Sequence, residues 1–237
     1  MEKSKPILQS YCMIRKIIGI LGILLPLLVY LFHGDFLSSV SHYYYTKSSL
    51  FFTSILSSFG LFLISYKGYE RDIETEFLSD NQITHIGGIA ALLVVLIPTS
   101  ASGSNSPVIN NMCLSGRYPL FGHNNSFLNF IHLMSAGIFL FTMGWMSFFR
   151  FTKGELTPEK RRRNMIYKIS GYIIWSSIFI LMTEFITGYN ITQYDVIIFE
   201  IISVYSFGIS WIVKGKAFED LLDLKYKFLH LKRKEST

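Results

Sequence analysis

Charge is scarce in this chain: 16% of its 237 residues are Asp, Glu, Lys or Arg, against about a quarter in an ordinary soluble domain. The charges that are present cluster between long runs that hold almost none, as a bilayer interior requires. Cysteine is nearly absent as well. Cys12 and Cys113 are the two present, too few for a disulfide framework, and neither has a Cys or His nearby at metal-ligand spacing. Recognisable catalytic motifs are missing: there is no Gly-x-Ser-x-Gly elbow, no phosphate-binding glycine loop, and no His-x-x-x-His or His-Glu-x-x-His pair. No motif therefore assigns a reaction.

Half of the residues are apolar and 16% are aromatic. The apolar runs predict an all-α membrane protein, a six-helix transmembrane bundle with spans at about 12–32, 48–66, 84–100, 126–149, 165–188 and 195–213. The first run has a basic start but no small-x-small cleavage site, so it reads as a retained span rather than a signal peptide. Six spans leave no room for a separate soluble domain.

The cations orient the bundle. All but Lys47 and Arg117 of the 22 Lys and Arg residues fall on one side of such a membrane, which places both termini in the cytoplasm. An odd number of spans would break that pattern. The net charge of +6 is explained by these flanking cations, and nucleic acid is not an expected partner. Small residues interrupt the spans at Gly19 and Gly22, Ser57–Ser58 with Gly60, Ser135 to Gly137, Ser170–Gly171 and Ser206 to Ser210. They predict closely packed helices, because lipid offers little hydrophobic drive for helix association.

Ionisable residues inside spans are costly and mark wet cavities or buried partners. His132, Glu184 and Glu200 all lie one to two turns below the outer surface. Above them the outer connections carry His33, Asp35, His42, His123 and Asp195. One reading is an outward-facing polar pocket with His132, Glu184 and Glu200 on its floor and His42, Tyr44 and Asp195 around it. The other is that these groups bridge helices by hydrogen bonds, as buried polar groups must. His132, Glu184 and His123 are weak candidates for a transition metal, and no cofactor is otherwise expected. The run Ser41-His42-Tyr43-Tyr44-Tyr45-Thr46 reads either as an aromatic belt at headgroup level or as a lip over the pocket.

Residues 215–237 read as a basic amphipathic cytoplasmic tail, whose Lys225, Lys227, Lys232, Arg233 and Lys234 would meet anionic lipid headgroups. The stretch Glu70–Asp80 is acidic and reads as an exposed loop.

Three segments, Ser41-His42-Tyr43-Tyr44, Tyr66-Lys67-Gly68-Tyr69 and Phe207–Gly215, together resemble a family of uncharacterised bacterial multi-span membrane proteins. The resemblance runs from the first span to the last and implies a bacterial inner-membrane location, with no activity attached. The superfamily of alkaline ceramidases and progestin/adipoQ receptors has one span more and carries paired histidines that this chain lacks, so no residue is carried over from it. The resulting expectation is a non-enzymatic protein that binds or moves a small or lipidic ligand through the outer pocket, with the bilayer and a possible second copy of itself as partners. The alternatives are an intramembrane metal-dependent lipid hydrolase and an oligomeric pore or membrane effector.

Overall fold

The computed structural model describes residues 4–68 and 78–216. The acidic stretch from Tyr69 to Phe77 and the tail from Ala217, including Lys225, Lys227, Lys232, Arg233 and Lys234, lie outside the described residues. Every regular element among the described residues is helical: α1 (Ser4–His33), α2 (Ser49–Ser65), α3 (Asp80–Leu96), α4 (Pro107–Ser115), α5 (Ser126–Trp145), α6 (Pro158–Thr187) and α7 (Asp195–Lys214). A 3-10 turn, Val40–Tyr45, leads from α1 towards α2, and a π turn, Met146–Arg150, continues α5. Among the described residues, four helices are long and apolar enough to cross a membrane: α1 from Ser10, α5 with its π turn, α6 and α7. The chain is thus a helical membrane protein. Helices α2 and α3 are apolar but shorter, at 17 residues each, or about 25 Å at 1.5 Å per residue.

Local chemistry sets the helix ends. Ser79 and Gln82 form a reciprocal capping box that starts α3 at Asp80, a turn before the expected span. That helix stops at Leu96 because Ile97 precedes Pro98 and leaves the helical region, at φ −121° and ψ 83°. Thr157 caps α6 and Pro158 opens it, about two turns before the expected span. The cations at 160–163 cannot sit in lipid, but a helix need not end where the membrane does. The connection from Ala101 to Asn125 contains α4, which the apolar pattern does not reveal.

Consecutive long helices are antiparallel neighbours, and the last closes on the first. Helices α1, α2, α3, α5, α6 and α7 therefore form a closed ring. Gly215, just after α7, lies against Cys12 and Lys16 of α1, so the start of α1 and the end of α7 share one end of the bundle. We call this the Arg15 end and the opposite one the His33 end.

Two glycine contacts bring backbones together as lipid-embedded helices require. A Cβ on Gly19 would lie 2.7 Å from the Gly208 carbonyl oxygen across the α1–α7 seam, and one on Gly88 would lie 2.7 Å from that of Gly60 across α2–α3. Gly137, by contrast, faces open space.

Aromatic rings pack together inside the ring of helices. Phe207 of α7 stands edge-on to Phe59 of α2 at 5.1 Å and to Phe139 of α5 at 6.0 Å. Below it Trp211 meets Phe151 at 5.1 Å and Tyr66 at 5.4 Å. Such edge-to-face pairs add to the burial of the rings themselves. The aromatic cluster separates two polar layers, one at each end of the bundle.

Candidate functional site

The polar layer at the His33 end is organised by the 3-10 turn. Ser39 starts it, its hydroxyl accepting from the Ser41 N–H at 3.0 Å. Every residue from Val40 to Tyr45 is buried, so the aromatic run faces protein rather than headgroups. The tyrosine hydroxyls staple the loops. Tyr43 donates to the Asp35 carbonyl at 2.8 Å, Tyr44 to that of Leu120, and Tyr45 to that of Thr99 at 2.6 Å. Burial pushes the phenols of Tyr43 and Tyr45 up to about 12, so both remain donors at any physiological pH.

Glu200 of α7 and His132 of α5 converge on this turn from different helices. The Glu200 carboxylate accepts the Val40 N–H at 2.6 Å and the Ser39 hydroxyl at 3.0 and 3.1 Å. His132 is 1% exposed and bridges Ile97 and Ser41. Its Nδ1 lies 2.8 Å from the Ile97 carbonyl and its Nε2 lies 3.1 Å from Ser41 Oγ. A carbonyl only accepts, so Nδ1 carries the hydrogen, and in the neutral ring Nε2 accepts from Ser41. His42 completes the layer, its Nδ1 3.0 Å from Ser38 Oγ. Burial lowers its pKa to about 4, keeping the ring neutral. The Nε2 atoms of His42 and His123 are both buried without a protein hydrogen-bond partner.

Glu184 does not join this layer. It lies beside Asp195, and its buried carboxyl oxygens find no protein donor within bonding geometry. Asp195 itself accepts from the N–H groups of Ile191 and Thr192, at 2.6 and 2.8 Å, and from the Thr192 hydroxyl at 2.7 Å. It shapes the turn that enters α7. The structure thus brings His132, Glu200, His42 and Tyr44 to one turn and leaves Glu184 and Asp195 together on the α6–α7 side. Among the described residues, no three His, Cys, Asp or Glu side chains gather closely enough to hold a metal ion.

A cleft of about 650 Å³ opens beside this layer, between the end of α1 and the start of α7. Ile197, Ile198 and Ile201 of α7, with Leu37 and Phe36, form its apolar wall. His33, Asp35, Asn105, Tyr30 and Tyr194 supply its polar groups. Glu200 shares a turn of α7 with that wall and ties it to the 3-10 turn. The cleft is braced by Asn105, which accepts from the Ser38 N–H at 2.9 Å and donates to the Phe36 carbonyl at 3.0 Å. Ser39, Ser41 and Asn105 carried no signal as site residues, because small polar residues in a connection look like ordinary loop composition.

The fold and its two polar layers define a helical membrane protein with a solvent-accessible cleft at one end. No protein-family model, curated protein or solved structure matches the chain.

Proposed function

We propose that this chain is a six-span inner-membrane protein, with both termini cytoplasmic, that binds an amphiphile in the cleft at its outer face. Four helices are long enough to cross unaided, and α2 and α3 complete the antiparallel ring that joins them. The Arg15 end carries nearly all the cations among the described residues and is the cytoplasmic one. The resemblance noted in the sequence supports a bacterial inner membrane. The basic tail adds attraction to anionic headgroups on the cytoplasmic side.

The observation that carries the binding reading is the cleft itself. An isoleucine wall on α7 runs beneath a rim bearing Asp35, His33 and Asn105, which suits a molecule with an apolar chain and a polar head. His132 and Glu200 serve this reading as supports, since both hold the turn that follows the cleft's own loop.

Binding of a fluorescent lysophospholipid to the detergent-purified protein tests the reading. Saturable binding should weaken at least tenfold when Ile201→Trp fills the cleft. Equal binding by that variant would refute the site.

A further inference from the structure

The rim of the cleft combines aromatic rings with charge of one sign. Tyr30 and Phe36 line it as a stacked pair with ring centroids 4.3 Å apart, and Tyr194 lines it from the α7 side. Phe36 is 50% exposed, so its ring is open to a ligand. Asn105 donates to the Phe36 carbonyl at 3.0 Å and holds that segment in place. Aromatic faces attract cations, and quaternary ammonium groups in particular.

Asp35 lines the same cleft and is exposed, whereas no Lys or Arg among the described residues lines it. The Tyr43 hydroxyl bonds to the backbone carbonyl of Asp35, at 2.8 Å, so that bond to the loop does not involve the carboxylate. Asp195 follows Tyr194 and adds a second carboxylate on the α7 side, held by the Ile191 and Thr192 donors. His33, on the same rim, has Asp35 and Lys47 as electrostatic neighbours, but Lys47 is exposed and does not line the cleft. A carboxylate beside apolar and aromatic walls is screened less than one in open water. An anionic head would meet Asp35 with no Lys or Arg in the lining to offset it. A small cation without a chain would leave the isoleucine wall unused.

Resting on the amphiphile reading of the cleft, we propose that its occupant is a lipid whose head group carries a positively charged nitrogen. Asp35 supplies the counter-charge, the rings of Tyr30, Phe36 and Tyr194 surround the nitrogen, and Ile197, Ile198 and Ile201 take the chain.

The test measures binding of three fluorescent single-chain amphiphiles to the detergent-purified full chain. They share one chain and one dye and carry a trimethylammonium, a hydroxyl or a carboxylate head. The trimethylammonium probe should bind at least about tenfold more tightly than the carboxylate probe, with the hydroxyl probe between them. Asp35→Asn should bring the three within about threefold of one another, and added salt should narrow the spread in wild type. Phe36→Leu should weaken the trimethylammonium probe alone. Tetramethylammonium, which has no chain, should not displace any of them. Ile201→Trp should weaken all three together.

Binding that Ile201→Trp abolishes but that ignores head charge, or that keeps its preference in Asp35→Asn, overturns this proposal and leaves the cleft standing. So does displacement by tetramethylammonium, which would make the ligand a small cation. Binding of all three probes unchanged by Ile201→Trp refutes the cleft itself. The thermal unfolding midpoint of Asp35→Asn should match that of wild type, which separates a lost counter-charge from a lost fold.

Discussion

The carboxylate of Glu200 on α7 accepts the backbone N–H of Val40, 160 residues earlier in the chain, at 2.6 Å. With the Ser39 hydroxyl on the same carboxylate, this bond ties the last helix to the turn that follows the first. Hydrogen bonds to charged groups contribute about 1.5–3 kcal/mol each. Glu200→Ala should therefore destabilise the protein by about 2–4 kcal/mol, because it also leaves the Val40 N–H without its acceptor. Thermal unfolding in detergent should show a clear fall in midpoint, and Glu200→Gln, which keeps an acceptor, should lose less.

At the opposite end, the pair of Asp80 and Arg150 is buried, with side chains 1% and 4% exposed. Removing one member of such a pair leaves a charge in a poor solvent and costs about 3–5 kcal/mol, whereas removing both costs far less. Asp80→Asn should destabilise strongly, and adding Arg150→Met should recover a large part of the loss. A double-mutant cycle measured by chemical unfolding checks this, and simple additivity would show that the pair is not coupled.

Acidification should weaken the His33 end through His42. The ring has a folded pKa of about 4 against an ordinary 6.5, set mainly by burial. Because the folded value is depressed, the unfolded chain binds the proton first. The stabilisation is complete above pH 6.5 and is lost as pH falls from there towards 4. His123, lowered by the same cause, adds in the same direction. The unfolding midpoint of wild type should drop across that window more than that of His42→Asn, and parallel curves for the two proteins would contradict it.

The native cysteines report topology without further engineering. Cys12 lies at the Arg15 end beside Gly215, and Cys113 lies in α4 at the other; both are partly exposed. An impermeant maleimide should label Cys113 in right-side-out vesicles and Cys12 in inverted ones, with Cys12→Ser and Cys113→Ser as controls. Labelling of both from one side would rule out the six-span arrangement.

Much of the fold was legible because the bilayer imposes a coarse pattern. Apolar runs and the segregation of Lys and Arg are readable without knowing any contact. The ends of α3 and α6 were not, since Ser79 with Gln82 and Thr157 with Pro158 begin helices outside the apolar window. The candidate site was legible by depth and not by rotation. His132 and Glu200 reach the same turn from different helices, but Glu184, at similar depth, points to the α6–α7 side. The aromatic run at 43–45 shows the same limit: its composition suits a headgroup belt, and only the loop carbonyls that its hydroxyls find reveal that it faces inward. Arg15, in the basic start of the first apolar run, does not follow from any local pattern either. It turns onto Tyr66, a partner 51 residues away.

The cleft between α1 and α7 is the centre of this account, and photo-crosslinking tests it most directly. The protein would be reconstituted with a trace of phospholipid carrying a diazirine in its acyl chain, irradiated, and its adducts mapped by mass spectrometry. The account predicts adducts concentrated in 30–37 and 194–201, suppressed by Ile201→Trp and by excess unlabelled lysophospholipid. Adducts spread evenly over every lipid-facing helix, unchanged by that substitution, would contradict it.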